Sequence, residues 1–343
     1  MWRITGQEDV VSLLSRGLEK KSLAHAFLIS GPPHIGKMTL AVDIAQAVNC
    51  LKIPPPCGKC QSCLKIQQGK HADVHVISLA AQNDEEEGKT RTEISIDDIR
   101  QIQHAVSLPP FEGKHKAFII DDAESMSIEA ANCLLKTLEE PVTQAVFMLL
   151  TTNASLIPET IVSRCQKISL KPIAASEIEK ILIKDYDIDS QKAAVLSRLS
   201  HGCFGWALSA AQDEKILEDY FEKRSRVLEA MAASLQERFS YAGTLSTQFS
   251  KDRASVYGIM DVWLDIWRDL LLLKTGLPDS VNNIDIAGQL KQWAATIGLN
   301  AIRDSIQAIQ EAKIQLALNA NARLVLEVMM LDIPVMAGNT VKR

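Results

Sequence analysis

Short apolar runs alternate with longer amphipathic stretches along the first half of the chain. Five runs rich in β-branched and aromatic residues occur before residue 170: HAFLIS, VHVISL, KAFIID, AVFMLLTT and QKISL. Each lies between segments whose apolar residues recur at helical spacing. This alternation predicts an α/β fold with a parallel five-stranded sheet flanked by helices over about the first 170 residues.

The second half of the chain shows a different pattern. From about residue 171 onward the strand signals stop, and every long segment has apolar residues at helical spacing. Ile302, Ile306 and Ile309 fall on one helix face. Trp263 and Trp267 are likewise four residues apart. The pattern predicts an all-helical second half in which these side chains pack in the core.

An acidic run interrupts the first-half pattern at residues 80–93, AAQNDEEEGKTRTE. It contains a glycine and has no apolar period, which is typical of a solvated loop or the tip of a hairpin. We therefore expect these residues to lie at the surface.

The composition is that of a globular protein with a sizeable core. Of the 343 residues, 47% are hydrophobic and 23% are charged. This length predicts two or three domains. The formal net charge of −5 and the isoelectric point near 5.9 argue against a protein that binds nucleic acid over its whole surface. Any contact with nucleic acid is expected to be local.

The sequence carries no signal for export or for a membrane. The longest apolar run, AVFMLL at 145–150, is far too short to cross a bilayer. The N-terminal stretch is amphipathic and charged throughout, unlike a signal peptide. We expect a soluble, cytoplasmic protein with no membrane partner and with reduced cysteines.

The stretch GPPHIGKMTL follows an apolar run and precedes a helical segment. It nearly matches the phosphate-binding pattern GxxxxGK[ST], with Gly31, Gly36 and Lys37 in place. The backbone N–H groups of such a turn form an anion site, and Lys37 can reach the phosphates. Met38 stands where the pattern requires a magnesium-ligating hydroxyl, and Thr39 points about 100° away around the helix. The loop can thus bind phosphate, but ATP with magnesium is doubtful.

Two adjacent carboxylates, Asp121 and Asp122, end the apolar run of AFIIDDAES. An acidic pair at the carboxyl end of a buried parallel strand can hold magnesium and polarise a water molecule. In ATPases of this kind the second residue is usually Glu, and a displacement of about 1 Å costs on the order of 100-fold in rate. The alternative, that the two carboxylates cap the following helix, stays open.

Four of the seven cysteines lie close together in CLKIPPPCGKCQSC, at Cys50, Cys57, Cys60 and Cys63. Two consecutive C-x2-C steps and a fourth cysteine upstream can surround one ion tetrahedrally, as in a structural zinc site. Closed coordination of this kind leaves no open position for catalysis. The spacing leaves iron–sulfur ligation, disulfides and unligated thiols open as alternatives.

Several motifs occur in one order along nearly the whole chain. They are LAHAFLISGPPHIGK, the four-cysteine insert, IIDDAESMSIEAANCLLKTLEEP, SRC at 163–165 and NANARLVLEVMML. In these motifs the chain resembles the delta-prime family of bacterial DNA polymerase III clamp-loader subunits, which are AAA+ proteins. AANCLLKTLEEP followed by SRC is the most specific part of the resemblance.

The resemblance implies three parts. Residues 1–170 would form a RecA-like AAA+ domain with a zinc module at 50–63, residues 171–215 a small helical lid, and residues 216–343 a helical collar domain. In that family the clamp loader opens a ring-shaped sliding clamp and places it on primer–template DNA. The partners implied are gamma/tau-type ATPase subunits, which bind most of the ATP, and the delta subunit.

The resemblance also implies roles for individual residues. Arg164 of SRC would reach into the ATP site of a neighbouring subunit as an arginine finger, and Asn153 matches the sensor position. Trp206 stands where motor subunits carry an ATP-contacting arginine. Together with Met38 and Asp122, this departure predicts a stator subunit that does not turn over ATP, while residual nucleotide binding stays open.

Two other functions are compatible with the sequence. The first is an active AAA+ ATPase of the gamma/tau type, which a hydroxyl at position 38 and an arginine at position 206 would have favoured. The second is a zinc-dependent DNA-binding module that contacts DNA through Lys59, Lys65 and Lys70.

Overall fold

A computed structural model describes residues 1–79, 93–140 and 144–336, and it divides the chain into two compact units. Unit 1 comprises Met1–Ala174 with Gly202–Trp206, and unit 2 comprises Ala175–His201 with Ala207–Arg343. The first boundary lies close to residue 170, where the sequence pattern changes. The division of the second half into residues 171–215 and 216–343 stays a prediction. Nearly all of the acidic run predicted to be a surface loop, residues 80–92, lies outside the described residues.

The five predicted strands are all present in unit 1: β1 (Ala26–Ser30), β2 (Val74–Ile77), β3 (Lys116–Ile120), β4 (Ala145–Thr151) and β5 (Gln166–Ser169). They pair in parallel in the order β2-β3-β4-β1-β5. Strands β3 and β4 are buried at every position, whereas the edge strands β2 and β5 are partly exposed. The predicted parallel α/β fold is confirmed, and burial on both faces explains the continuous apolar runs.

Helices cover both faces of this sheet: α1 (Glu8–Glu19), α2 (Lys37–Asn49), α3 (Gln61–Gln67), α4 (Ile96–Ser107), α5 (Ile128–Glu139) and α6 (Glu159–Val162). Phe27 and Ile29 of β1 join the core that includes α2. Ala26 and Leu28 point the other way and join the core that includes α4 and α5. Because all strands are parallel, their carboxyl ends share one edge of the sheet and their amino ends share the opposite edge.

The remaining helices are α7 (Ala175–Tyr186), α8 (Ser190–Leu199), α9 (Phe204–Gln212), α10 (Glu214–Ala232), α11 (Leu235–Phe249), α12 (Arg253–Lys274), α13 (Ala287–Thr296), α14 (Leu299–Ala317) and α15 (Ala322–Asp332). No strand follows β5 in the described residues up to 336. Trp263, Trp267, Ile302 and Ile309 are fully buried, and Ile306 packs at the margin of the same core. The predicted all-helical second half is confirmed. Within the described part of the chain, no helix has the length and apolar character to cross a bilayer.

A buried arginine connects the ends of two helices in unit 2. Arg238 of α11 is 1% exposed. Its guanidinium donates hydrogen bonds to carbonyl oxygens at the ends of α10 and α15, namely those of Ala230, Met231, Met330, Ile333 and Pro334. The last carbonyl groups of a helix carry partial negative charge and lack partners within the helix. One cation therefore satisfies both helix ends.

Candidate functional site

The carboxyl edge of the sheet gathers most of the predicted nucleotide-site residues. The loop 31–36 follows β1, Asp121 and Asp122 follow β3, and Asn153 lies shortly after β4. Strands β3, β4 and β1 are neighbours, and ligands of open α/β sheets bind at this edge. The fold therefore brings three distant parts of the sequence to one site.

The loop has the backbone of a phosphate-binding turn. Gly36 has a φ of 108°, which favours glycine, and it directly precedes α2. A Cβ atom at Gly31 would lie 3.1 Å from the side chain of Ile35 and 3.2 Å from the carbonyl oxygen of Leu170. The local backbone requires both glycines, independently of any phosphate.

The lysine of the loop is bound by the loop itself. The Nζ of Lys37 donates hydrogen bonds to the carbonyl oxygens of Gly31 at 2.8 Å and Pro32 at 3.0 Å. Burial lowers the pKa of Lys37, while the charges of Asp121 and Glu124 oppose that shift. These two bonds use two of the three N–H donors of the ammonium, which leaves one donor for another acceptor such as a phosphate oxygen.

Three carboxylates interact electrostatically with Lys37. Burial raises the pKa of both Asp121 and Asp122, and neighbouring negative charges add to the shift. Glu124 differs from the acidic pair. Burial alone would raise its pKa, but hydrogen bonds from the hydroxyl and the N–H of Thr152, the latter at 2.9 Å, hold the pKa of Glu124 below its usual range. Sequence reasoning missed Glu124, whose only signal is its position two residues after the acidic pair.

The acidic pair does not cap α5. Ser127 is the N-cap of that helix, and its hydroxyl accepts a hydrogen bond from the N–H of Ala130 at 3.1 Å. Asp122 has a left-handed φ of 51° and precedes the 3-10 helix Ala123–Ser125 without a capping hydrogen bond from its side chain. Such a conformation is uncommon for a residue other than glycine and is often found at functional sites. The capping alternative is therefore not supported.

Two apolar side chains pack close to the loop, at positions where the sequence analysis expects polar groups in a site that hydrolyses ATP. Met38 and Trp206 are both half-buried and pack against the core that includes α2. The N–H of Gly205 donates to the carbonyl oxygen of His34 at 3.0 Å, and a Cβ atom at Gly205 would lie 2.5 Å from that oxygen. The thioether of Met38 offers magnesium no oxygen ligand. Apolar packing and one backbone contact therefore fix the loop.

Asn153 lies near the end of β4, as expected, but its carboxamide oxygen is already bonded. Oδ1 accepts hydrogen bonds from the N–H and the hydroxyl of Ser155, at 3.1 and 2.6 Å. The side chain thus caps the 3-10 helix Ala154–Leu156. Thr39 is half-buried in the first turn of α2. The sensor role of Asn153 and nucleotide binding by Thr39 stay predictions.

Arg164 lies at the opposite edge of the sheet. Strand β5 pairs in parallel with β1 from Gln166, which lies opposite Phe27, to Ser169. Arg164 precedes the paired residues of β5, whereas the loop follows the paired residues of β1. The paired stretch between them is about 10 Å long. The structure therefore does not bring Arg164 to the loop of its own chain.

Three contacts hold the guanidinium of Arg164, of which a bond from Nη1 to the hydroxyl oxygen of Ser163 is the longest at 3.4 Å. Its Nη1 donates to the carbonyl oxygen of Thr160 at 2.8 Å, and its Nη2 forms an ion pair with Glu139, the last residue of α5. The helix dipole disfavours a carboxylate at a helix C-terminus, so Glu139 is stabilised by this cation. The arginine side chain is 35% exposed. It is oriented and still accessible to solvent.

The four cysteines of the insert form one compact cluster. The Sγ atoms of Cys50, Cys57, Cys60 and Cys63 all lie within 4.8 Å of one another, and the cysteines are free thiols. The Sγ atoms of Cys57 and Cys63 are 4.0 Å apart. A tetrahedral zinc ion with Zn–S bonds of about 2.3 Å requires sulfur–sulfur distances of about 3.8 Å. The donor set and its spacing therefore fit a metal such as zinc, and these four cysteines form no disulfide in the structure.

Backbone N–H groups support the thiolate form of Cys50 and Cys57, whereas burial raises the pKa of Cys63. The N–H groups of Lys52 and Cys57 each donate to the Sγ of Cys50 at 3.4 Å. Backbone hydrogen bonds, foremost from Lys59, lower the pKa of Cys57 to about 6. The thiolate is the form that binds metal. The cluster is the only group in the described residues with such metal-ligating geometry.

Models of one protein family match both halves of the chain. The model described as DNA polymerase III, delta subunit, matches residues 6–174. The model for the C-terminal part of the delta subunit matches residues 218–334. Together the two matches cover most of the chain.

Individual proteins are similar as well. The chain is 28% identical to DNA polymerase III subunit delta' of Bacillus subtilis, over 94% of both chains. It is 29% identical to subunit tau of the same organism over 96% of this chain, but it spans only 60% of the length of that protein. A solved structure of a DNA polymerase III gamma subunit-related protein from Thermotoga maritima is 20% identical, with a TM-score of 0.44 and coverage of 94% of this chain and 97% of that one.

Proposed function

The chain belongs to the DNA polymerase III delta subunit family, and from this premise we propose that it is a clamp-loader stator that does not turn over ATP. In this role it helps to load the sliding clamp onto primed DNA. It offers Arg164 as an arginine finger to the nucleotide site of a neighbouring gamma/tau-type ATPase subunit. The observation that carries the proposal is that Arg164 and the loop lie at opposite edges of one sheet.

Overall similarity does not separate a stator from a motor, because the identities to delta' and tau are 28% and 29%. The residues at the carboxyl edge support one of the two roles. Met38 supplies no magnesium ligand, Trp206 supplies no cation for a phosphate, and Asp122 is shorter than the usual Glu. These features favour a subunit without ATP turnover over the gamma/tau-type alternative.

The position of Arg164 suits action on a neighbour. Subunits that pack head to tail present one edge of each subunit to the opposite edge of the next. The carboxyl edge of a neighbour would then meet the amino edge of this chain, where Arg164 lies. Its planar guanidinium can bind phosphate oxygens through two parallel hydrogen bonds. Arginine fingers accelerate phosphoryl transfer by about 10³ to 10⁵.

Unit 2 offers a surface for assembly with other subunits. Leu324, Val328 and Leu331 of α15 are each more than half exposed. Their spacing of four and three residues places them on one helix face. An exposed apolar face of this kind is typical of helices that pack against a partner. The proposed partners are the gamma/tau-type and delta subunits, and the clamp and primer–template DNA are reached through the assembled complex.

The proposed metal at the cysteine cluster is structural. Zinc held by Cys50, Cys57, Cys60 and Cys63 would cross-link the insert and supply folding energy, with no open position for a substrate. The insert interrupts the path from α2 to β2, at the amino edge of the sheet. Its metal therefore has no place in the nucleotide chemistry.

The test is ATP turnover by a clamp loader reconstituted with this chain or with its Arg164→Ala variant. Loss of the finger is expected to slow hydrolysis at the adjoining site by about 10³-fold or more. Size-exclusion chromatography must show that the variant still enters the complex. An unchanged rate at that site would sink the assignment of Arg164.

The motor alternative is tested on the isolated chain. We expect no ATP turnover above the background of a Lys37→Ala variant. Turnover that Lys37→Ala abolishes would show that this chain is a motor, despite Met38 and Trp206.

A further inference from the structure

Large apolar side chains are displayed in solvent around the cysteine cluster. Ile53 is 94% exposed and Leu51 is 63% exposed, and both lie in the loop between the first two cysteines. Phe111, which precedes β3, is 87% exposed. Leu64 of α3 is about half exposed, at 45%. The proposed stator role uses none of these residues.

The backbone beneath Phe111 is fixed although its ring is free. The carboxylate of Asp73 accepts hydrogen bonds from the N–H groups of Phe111 at 2.7 Å, Glu112 at 2.8 Å and Gly113 at 2.6 Å. Asp73 is itself 1% exposed. A fixed backbone that presents an exposed aromatic side chain loses little conformational entropy when that side chain is covered. Phe111 therefore has the character of a preorganised anchor.

Two contacts join the Phe111 loop to the cysteine insert. The Nζ of Lys114 donates to the carbonyl oxygen of Cys50 at 2.6 Å, next to Leu51. Lys65, next to Leu64, forms an ion pair with Glu112, next to Phe111. We call the surface made of Leu51, Ile53, Leu64 and Phe111, with the lysines of residues 50–70, the insert surface.

The charge of the insert surface is opposite to that of the chain. Residues 50–70 contain Lys52, Lys59, Lys65 and Lys70 and no Asp or Glu, whereas the whole chain has a net charge of −5. Glu112, beside it, is already paired with Lys65. Lys52, Lys59 and Lys70 are all exposed. Electrostatic complementarity therefore selects an acidic partner.

The apolar residues favour a protein segment over nucleic acid as that partner. Single-stranded nucleic acid binds where several aromatic rings stack on successive bases. The insert surface has one such ring, Phe111, and three aliphatic side chains. Aliphatic anchors flanked by lysines match a peptide in which acidic and apolar residues are interspersed.

We infer that the insert surface is a docking site for an acidic segment of a partner protein, whose apolar side chains cover Ile53 and Phe111. Asp73 holds the backbone at Phe111 in place, and a metal at the cysteine cluster would hold the loop that carries Leu51 and Ile53. The site is separate from Arg164 and from the nucleotide loop, and the inference does not depend on the proposed arginine finger.

The experiment measures fluorescence anisotropy of a fluorescein-labelled peptide of repeated Asp-Leu-Glu-Phe units against the full zinc-loaded chain. We expect saturable binding that Phe111→Ala and Ile53→Ser each weaken by about tenfold or more. A Lys52→Glu and Lys59→Glu double variant should also weaken binding, and added salt should weaken it further. Ile128→Ala, which truncates another exposed apolar side chain, and Lys184→Glu are the matched controls and should bind as the wild-type chain does.

The zinc content of each variant shows whether the insert is intact. Equal binding by Phe111→Ala, Ile53→Ser and the wild-type chain would overturn the inference, as would no saturable binding of the peptide. Oligothymidine of similar length is the second probe. If it binds more tightly than the peptide and is released by the lysine substitutions, the surface binds single-stranded DNA and the inference is wrong.

Discussion

The two edges of the sheet in unit 1 differ in whether their cationic side chain is accessible to a partner. At the carboxyl edge, the loop keeps its backbone, but its lysine is bound by loop carbonyl groups and Met38 replaces the magnesium ligand. At the amino edge, Arg164 is oriented and accessible. The cysteine insert lies at this second edge too, because Oδ1 of Asn49, at the end of α2, accepts a hydrogen bond from the backbone of Lys114 just before β3.

The difference teaches that loop shape and loop chemistry depend on different interactions. The loop backbone is fixed by packing around Gly31 and by the contact of Gly205 with His34, which the fold needs with or without nucleotide. The chemistry depends on a few polar side chains that add little to stability. Such side chains can be absent at one edge while the other edge presents an oriented and accessible arginine.

The largest effect is expected from removing the cation at the amino edge, and no effect is expected from removing the cation at the carboxyl edge. In the reconstituted complex, Arg164→Ala should slow hydrolysis at the adjoining site by about 10³-fold or more, because charge on the transferred phosphoryl group loses its partner. Lys37→Ala should leave the same rate unchanged. Single-turnover ATP hydrolysis measures both. Equal losses in the two variants would remove the contrast between the edges.

Asp73, at the amino edge, is expected to contribute strongly to stability. Asp73→Ala leaves three partly buried N–H groups without their acceptor, and because water can replace part of what is lost we expect a decrease of about 1–3 kcal/mol in the free energy of unfolding. Urea unfolding measures it, with Asp97→Ala at an exposed position as the control. A loss no larger than that of the control would contradict this account.

The pH dependence of the stability that Asp73 contributes follows from the same three hydrogen bonds. Although burial opposes it, the three N–H groups hold the pKa of Asp73 below its usual range. A carboxylate with a lowered folded pKa stabilises the fold above its unfolded pKa of about 3.9, and this contribution is lost as the pH falls towards the folded pKa. Stability measured below about pH 4 should therefore differ less between Asp73→Ala and the wild-type chain.

A moderate effect on the rate of hydrolysis is expected from Glu139, the carboxylate that pairs with Arg164. Glu139→Gln should slow hydrolysis at the adjoining site by up to about fivefold, since an exposed ion pair contributes about 1 kcal/mol at most. Glu140, the next residue, has the same charge and provides the matched control, so Glu140→Gln should have no effect. The maximal rate should fall without a change in KM for ATP. A faster rate in Glu139→Gln would show that Glu139 restrains the finger instead of positioning it.

The smallest effect is expected at the carboxyl edge. Burial raises the pKa of Asp121 and Asp122, so the folded state disfavours their charged forms at neutral pH. Asp121→Asn should therefore stabilise unit 1 at pH 7, by less than about 1 kcal/mol because the site is half-exposed and screened. The gain should shrink as the pH falls and the wild-type carboxyl becomes protonated. A destabilised variant at pH 7 would show that the charge is needed, as in a site that binds a cation.

Much of the fold could be read from local sequence patterns. All five strands, the helical second half and the buried Trp263 and Trp267 follow from the spacing of apolar residues, because each pattern reports which side of an element meets the core. The cysteine cluster was predictable for a similar reason, since metal ligation requires thiols at short and regular spacing.

Other features depend on residues far apart in the sequence. Glu124 joins the site through Thr152, which lies 28 positions later in the chain. The anchoring of Phe111 by Asp73 likewise links residues 38 positions apart. No local pattern reports such contacts, because each forms only after distant strands have paired.

The sequence alone determined the kinds of element and the chemistry of each candidate residue: a loop with Gly36 and Lys37 but no hydroxyl at 38, four thiols at metal-binding spacing, and one arginine in SRC. Only the tertiary structure decided which of these groups meet. The register of β5 against β1 placed Arg164 at the edge opposite the loop, and the fold of the loop gave Lys37 its own carbonyl partners. The physical reason is that parallel strands pair through hydrogen bonds between distant segments, so the edge at which a residue lies is a property of the whole sheet.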